Sequence, residues 1–278
     1  GSPPVAANTG VVTSPLAHAN KKSPFPEILK FHCIVEFSVS ISLRNHANHR
    51  EDRQLKHQTP DILNQMRDRL IMAHYRLGQK LRPSEIAGDF GVSANTIREI
   101  MVRLSTEGLL DYEDQRGFRV VSSSDRLLHD ITEFRIVLEK TGVERSIARG
   151  GIEWEAQMTA AHHKLSHIEN RIRRTGDVVG VLKHWSDAEL DFHLSLMGAA
   201  EMPVLRQNFR TIYARFRQQI VSPDRSYAHR DGNIVEHQRI LEAALDRDVA
   251  ASLDAIHSHL CRNLLPTPDT APRVSEAG

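Results

Sequence analysis

Between Thr59 and Val121, helical periodicity is cut by glycines in an order that few folds can satisfy. Pro60 stands where a helix begins, and Ile62, Leu63, Met66, Leu70 and Ile71 recur behind it at helical spacing. YRLGQKLRPSEIAGDFGVS then supplies a turn, a short helix over 83–90 and a second turn at Gly91. Ser93 is a capping residue ahead of another helix over 94–106, ANTIREIMVRLST. After Gly108, LLDYEDQRGFRVV reads as two short strands around a polar turn at Gly117. Helix, helix, turn, helix, hairpin is the order of a winged helix-turn-helix.

That order carries a chemical expectation. The second helix of the pair would lie in a DNA major groove, with the residues of its N-terminal end on base edges. Its free amides favour phosphate. Ser93, Asn95, Thr96 and Arg98 stand at that end, and Asn and Arg have the donor geometry for adenine and guanine edges. Ile97, Met101, Leu104 and Leu109 fall on the opposite stripe and should be core. Arg103 can reach phosphate or simply be solvated. At the hairpin tip Gly117 permits close backbone approach, Arg116 and Arg119 bring charge, and Arg82 precedes the first helix of the pair. The same fold can also dock proteins, and Asp111, Glu113 and Asp114 would repel phosphate.

The remaining chain is helical in texture. Ser122 to Ser124 form a short linker, followed by helices near 125–149, 153–173, 177–198, 202–221, 227–247 and 249–264. The expected organisation is a leader over 1–53, a winged helix over 54–122, an all-α bundle over 125–265 and a Pro-rich tail over 266–278. The leader carries little helical period, although Ile34 to Leu43 alternates weakly enough to add a strand. The fold class is therefore mostly α. A net charge of +1 across 278 residues means that any basic surface must be local. Cys33 and Cys261 form no CxxC or disulfide framework, which points to a reducing cytoplasm. The longest apolar run, FHCIVEFSVSISL, is interrupted by His32, Glu36 and serines, so no membrane partner is expected.

Four polar residues sit where a core should be. In VLKHWSDAELDFHLSLM, Glu189 and His193 lie four apart on the apolar face with Leu182, Trp185 and Leu196. His237 lies between Ile234 and Leu241 on another apolar stripe, and His259 flanks the inward face of the last helix. Buried polar groups need partners. One carboxylate and three imidazoles either hydrogen-bond one another or hold a divalent metal such as zinc or nickel. His162, His163, His167, His229 and His257 read instead as residues that decorate their helices.

The DNA-reading half resembles the N-terminal domain of the GntR family of bacterial transcription regulators. The resemblance rests on Gly78-x-x-Leu81, Glu85-Ile86-Ala87, Gly91-Val92-Ser93, Thr96-x-Arg98-Glu99, Leu104, Glu107-Gly108-Leu109 and Arg116-Gly117. It implies DNA contacts at Arg82, Ser93, Asn95, Thr96, Arg98 and Gly117. Ala94 departs from the arginine that the family often has there. ELDFH, EHQRILEAAL and IHSHL are similar to the FCD effector domain of the FadR subfamily. This implies metal ligation by Glu189, His193, His237 and His259, with Glu replacing the usual Asp. FRIVLEKTGVERSIARG matches that domain's first helix, whose arginine, here Arg135, grips a carboxylate effector. Arg135 also stands four residues from Glu139, the spacing of an ion pair. Arg215 and Arg217 are further candidates for the acid.

The resulting expectation is a cytoplasmic, homodimeric regulator, a repressor of operator DNA, that answers to a small organic acid held beside zinc or nickel. It is not expected to be an enzyme. The rivals are a metal-dependent hydrolase with an accessory winged helix and a protein-docking module.

Overall fold

The computed structural model describes residues 60–221 and 232–266. The weak strand at Ile34–Leu43, the leader over 1–53, His229 and the tail beyond 266 lie outside them. The first described element is a helix over 60–71, α1. Helix α2 (Pro83–Phe90) opens with proline at its first turn and closes on Gly91 at φ 63°, a left-handed conformation that favours glycine. Helix α3 (Ala94–Thr106) is capped by Ser93, whose hydroxyl accepts from the Thr96 amide.

Strands β2 (Leu110–Glu113) and β3 (Gly117–Val120) form the expected antiparallel hairpin, pairing Leu110 with Val120 and Glu113 with Gly117. A third strand, β1 (Lys80–Leu81), adds to β3, giving the order β1-β3-β2. Two residues are too few to show an alternating period, so this strand had no sequence signature. The core of this half gathers Met66 and Leu70 from α1, Ile97, Ile100, Met101 and Leu104 from α3, and Phe118 and Val120 from β3.

The second half comprises α4 (Asp125–Arg149), α5 (Ile152–Thr175), α6 (Leu182–Leu196), α7 (Pro203–Ile220), α8 (Gly232–Leu245) and α9 (Val249–Leu260). Ser124 caps α4 and Asp248 caps α9 through their side-chain oxygens. A 3₁₀ turn at Val179–Val181 delays α6 beyond the expected start at 177, and another at Cys261–Asn263 ends the last helix. Helix α5 packs on α6, α8 on α9, and α4 lies against both α7 and α9. Val143, Met158, Leu165, Trp185, Phe192, Phe209, Ile240 and Ile256 fill the shared core. No helix among the described residues is long and apolar enough to cross a membrane.

Helix α7 belongs to both halves. Its Ala214 is part of the winged-helix core. Gln218 donates its side-chain amide to the Leu109 carbonyl at 3.0 Å. Gln219 donates to the Ser122 carbonyl at 3.3 Å and accepts from the Ser124 amide at 3.4 Å, clamping the linker backbone. Gly108, at φ +75°, leaves room for Arg215: a Cβ there would lie 2.9 Å from the guanidinium Nε.

Candidate DNA-reading face and buried histidine centre

The face of α3 opposite the core is solvent-exposed, and Ser93, Asn95 and Arg98 stand on it. Ser93 spends its hydroxyl on the cap and on the Thr96 hydroxyl at 2.9 Å. Asn95 reaches Glu99 at 3.3 Å. Arg98 donates to the Tyr112 hydroxyl at 3.1 Å, and that hydroxyl donates to Asp114 at 3.1 Å. Arg98 is thus held against the wing by Tyr112, a residue the sequence did not single out. Arg82 pairs with Glu85 at 2.6 Å and Arg116 with Glu113 at 2.8 Å, both exposed. These pairs are weak in water and open to exchange for phosphate. Arg103 is exposed, and Gly117 takes φ 79° at the hairpin turn. Arg119 is already committed, donating to the Gly78 carbonyl at 2.7 Å.

Inside the bundle, helices α6, α8 and α9 bring His193, His237 and His259 together, with one ring nitrogen from each within 4.8 Å of the others. The ring centroids lie 4.6 to 5.7 Å apart. All three residues are buried. Each Nδ1 faces a carboxylate: His193 to Glu139 at 2.8 Å, His237 to Glu169 at 3.1 Å and His259 to Glu236 at 2.7 Å. Arg262 in turn donates to Glu236. Carboxylates are acceptors, so neutral rings at His193 and His237 keep the proton on Nδ1 and the lone pair on Nε2, whereas Nδ1 of His259 also meets Arg262 Nη2 at 3.2 Å. The Nε2 atoms of His193 and His237 are buried without a hydrogen-bond partner among the described residues. Buried acceptors without partners are costly, and a divalent ion would use both.

The predicted fourth ligand behaves differently. Glu189 shares the inward face of α6, but its carboxylate accepts from Arg217 at 3.0 Å and lies 3.8 Å from Arg135. It is not a member of the three-histidine group. Opposite charge explains the choice, since two guanidiniums buried nearby need a counter-ion. Arg135 is fully buried; it donates through Nε to Glu139 at 2.6 Å, while Nη1 and Nη2 have no hydrogen-bond partner among the described residues. Its guanidinium also lies 4.6 Å from the Phe216 ring centroid. The ion pair with Glu139 expected of Arg135 is present, and its Nη2 also lies 3.8 Å from the Glu189 carboxylate. Arg215, expected at the acid, points instead to Gly108 of the winged helix. Arg217 takes the inward place, over Trp185 and against Glu189.

His162 needs correction as well. It is buried rather than decorating α5, and its ring packs on Phe192 at 5.4 Å. His163, His167 and His257 are exposed as expected.

Burial pushes His259 down to about 3, and it lowers His193 as well. Burial works against the charge on Glu139, but His193 and Arg135 overcome it and hold that carboxyl at about 2. The His259 ring is neutral in the fold and regains its ordinary value near 6.5 once exposed. Below that pH the unfolded chain binds more protons, so stability must fall with acidification. That ring gives a slope approaching about 1.4 kcal/mol per pH unit. Urea midpoints of chelator-treated protein at neutral pH and about one unit below 6.5 measure this. Equal midpoints would contradict a neutral buried ring.

The description "Bacterial regulatory proteins, gntR family" matches residues 59–120, and "FCD domain" matches residues 130–262. The HTH-type transcriptional repressor GlaR of Escherichia coli is 28% identical over 211 residues, covering 73% of this chain and 91% of that protein. BphR of Paraburkholderia xenovorans, an HTH-type transcriptional regulator, is 26% identical over 198 residues, 70% of this chain and 79% of its own. Among solved structures, E. coli McbR/YncC superposes with a TM-score of 0.61 at 19% identity, covering 74% of this chain and 94% of that one. A GntR regulator from Rhodococcus sp. RHA1 gives 0.60 at 20% identity, with the same coverage.

Proposed function

This chain belongs to the GntR family of bacterial regulatory proteins, with an FCD domain behind its DNA-binding domain, and from that premise we propose that it is a cytoplasmic, homodimeric repressor released by a small organic acid held beside a divalent metal. It is a DNA-binding transcriptional regulator, and relatives such as GlaR are regulators rather than enzymes. The hydrolase alternative therefore has no support.

The observation that carries the sensor reading is the pairing of three carboxylate-backed imidazoles with an arginine whose Nη atoms have no hydrogen-bond partner among the described residues. His193, His237 and His259 would hold the ion, and imidazole ligands suit zinc or nickel. Such an ion supplies a Lewis-acidic anchor for one end of an anion. Arg135 offers the two parallel donors that a carboxylate takes. Arg217 and Glu189 complete a charged wall, and Tyr213 donates to the Ser186 carbonyl at 2.9 Å.

Signal transfer is proposed to run along α7. Tyr213 and Arg217 are buried beside Arg135 and Glu189, while Ala214, Gln218 and Gln219 grip the winged helix and its linker. Acid binding need only favour one seating of that helix by a few kcal/mol to change the spacing of two recognition helices. Replacing Gln218 and Gln219 by Ala should leave metal content intact while weakening the acid's effect on operator binding at least severalfold. An unchanged response would remove α7 from the signal path.

The DNA contacts proposed are Arg82, Ser93, Asn95, Thr96, Arg98, Arg103, Arg116 and Gly117. Arg98→Ala should cost about 1–3 kcal/mol of operator affinity, read by mobility shift with the DNA upstream of the protein's own gene. The experiment for the whole reading combines that shift, titrated with salt and with small carboxylic acids, with elemental analysis of the purified protein. DNA binding that no acid or metal alters would leave only the reader.

A further inference from the structure

Glu139 differs from the other two carboxylates behind the histidines in how it uses its oxygens. Its Oε1 accepts from Arg135 Nε at 2.6 Å and its Oε2 faces His193 Nδ1 at 2.8 Å. Glu169 employs a single oxygen, Oε1, for both Trp185 Nε1 at 3.3 Å and His237 Nδ1 at 3.1 Å. Both carboxylates are fully buried, and both belong to helices that give no histidine to the cluster.

We infer that Glu139 is a shared positioning residue that sets the tautomer of the metal-facing His193 and the aim of the anion-facing Arg135 at once. This rests on the metal reading above and extends it to a residue that touches neither ligand. A guanidinium has five donors and no acceptor, so Arg135 Nε–H always needs an oxygen. An imidazole presents Nε2 as a lone pair only when its proton is on Nδ1, which also needs an acceptor. A carboxylate with an oxygen toward each satisfies both demands. With Nε fixed on Glu139, the Nη1 and Nη2 ends, which have no hydrogen-bond partner among the described residues, keep one aim.

A carboxamide cannot do the same, because it has one acceptor oxygen and one donor nitrogen. In Glu139→Gln the oxygen goes to Arg135, which cannot adapt. The amide nitrogen then faces His193 Nδ1, which must become the acceptor. The ring proton moves to Nε2 and blocks the position that would ligate. Glu169→Gln is the internal control, since a carbonyl oxygen in the place of Oε1 keeps both of its bonds.

The experiment uses the full chain. Imidazole 15N and 1H shifts of metal-free protein near pH 7.5 are recorded for wild type, Glu139→Gln and Glu169→Gln, with His193 assigned by its loss in His193→Gln. Zn2+ affinity is measured in parallel by competition with a chromophoric chelator. The expected result is a proton on Nδ1 of His193 in wild type and Glu169→Gln, and on Nε2 in Glu139→Gln. Zn2+ affinity should fall by roughly 10- to 100-fold in Glu139→Gln and by much less in Glu169→Gln. A wild-type His193 with its proton on Nε2 overturns the inference, even if Glu139→Gln fails to fold. So does a Glu139→Gln variant that binds Zn2+ as tightly as wild type. A wild type that binds no Zn2+ refutes the metal reading instead, and the tautomer result stands apart from it.

Discussion

Glu189→Leu is expected to destabilise the protein by about 3–5 kcal/mol, the size of effect that follows when one partner of a buried ion pair is removed. The Glu189 carboxylate sits between Arg217 at 3.0 Å and Arg135 at 3.8 Å, all three buried. Glu139 balances only part of the two positive charges. Leucine would fill the space but take away the carboxylate that Arg217 and Arg135 share in a water-poor interior. The Glu189 pKa supports the geometry: burial pushes it up, yet Arg217 and Arg135 prevail and hold it at about 2. Denaturant titration measures the loss as a shifted midpoint at constant slope. A loss below about 1 kcal/mol, the worth of a surface pair, would mean that water reaches these charges. Glu189→Gln separates the two roles considered for this residue: a ligand would take Zn2+ affinity down with it, whereas an ion-pair anchor would lower stability and spare the affinity.

Removing His193 and His237 together should abolish measurable Zn2+ binding. Structural zinc sites are worth about 10–16 kcal/mol in total, so losing two of three imidazoles forfeits several orders of magnitude. The thermal readout is equally direct. At a free ion concentration one hundred times Kd, the wild type should gain about 2.7 kcal/mol. His193→Ala/His237→Ala should show no such gain. A double variant that still responds to Zn2+ would place the ion elsewhere.

Much of this architecture was legible in the chain. Ser93, Ser124 and Asp248 are helix caps, and Gly91 and Gly117 are positions of positive φ, so the local chemistry marked the boundaries. The three histidines were legible because each interrupts an apolar helical stripe. Their supporting glutamates were not: Glu139 and His193 are 54 positions apart, and only the packing of α4 near α6 unites them. The arginine partners of Glu189 were not legible, because periodicity tells which face a residue occupies, not which neighbour it meets there. Arg215 and Arg217 stand two apart and so cannot face the same way on a helix. The stripe through Phe209, Tyr213 and Phe216 selects Arg217, and its geometry was available without a structure. His162 follows the same logic, on one stripe with Met158, Leu165 and Glu169.

The place of Ala214 in the winged-helix core has a practical consequence for anyone who would cut or recombine this protein. A fragment ending at the serine linker would expose apolar surface that α7 now covers and leave the Leu109 carbonyl without its amide donor. Grafting the reader onto a foreign sensor would require transplanting that stretch of helix too. The stretch that matches the family's reader ends at residue 120, yet the core that shelters it borrows from α7 almost a hundred positions later.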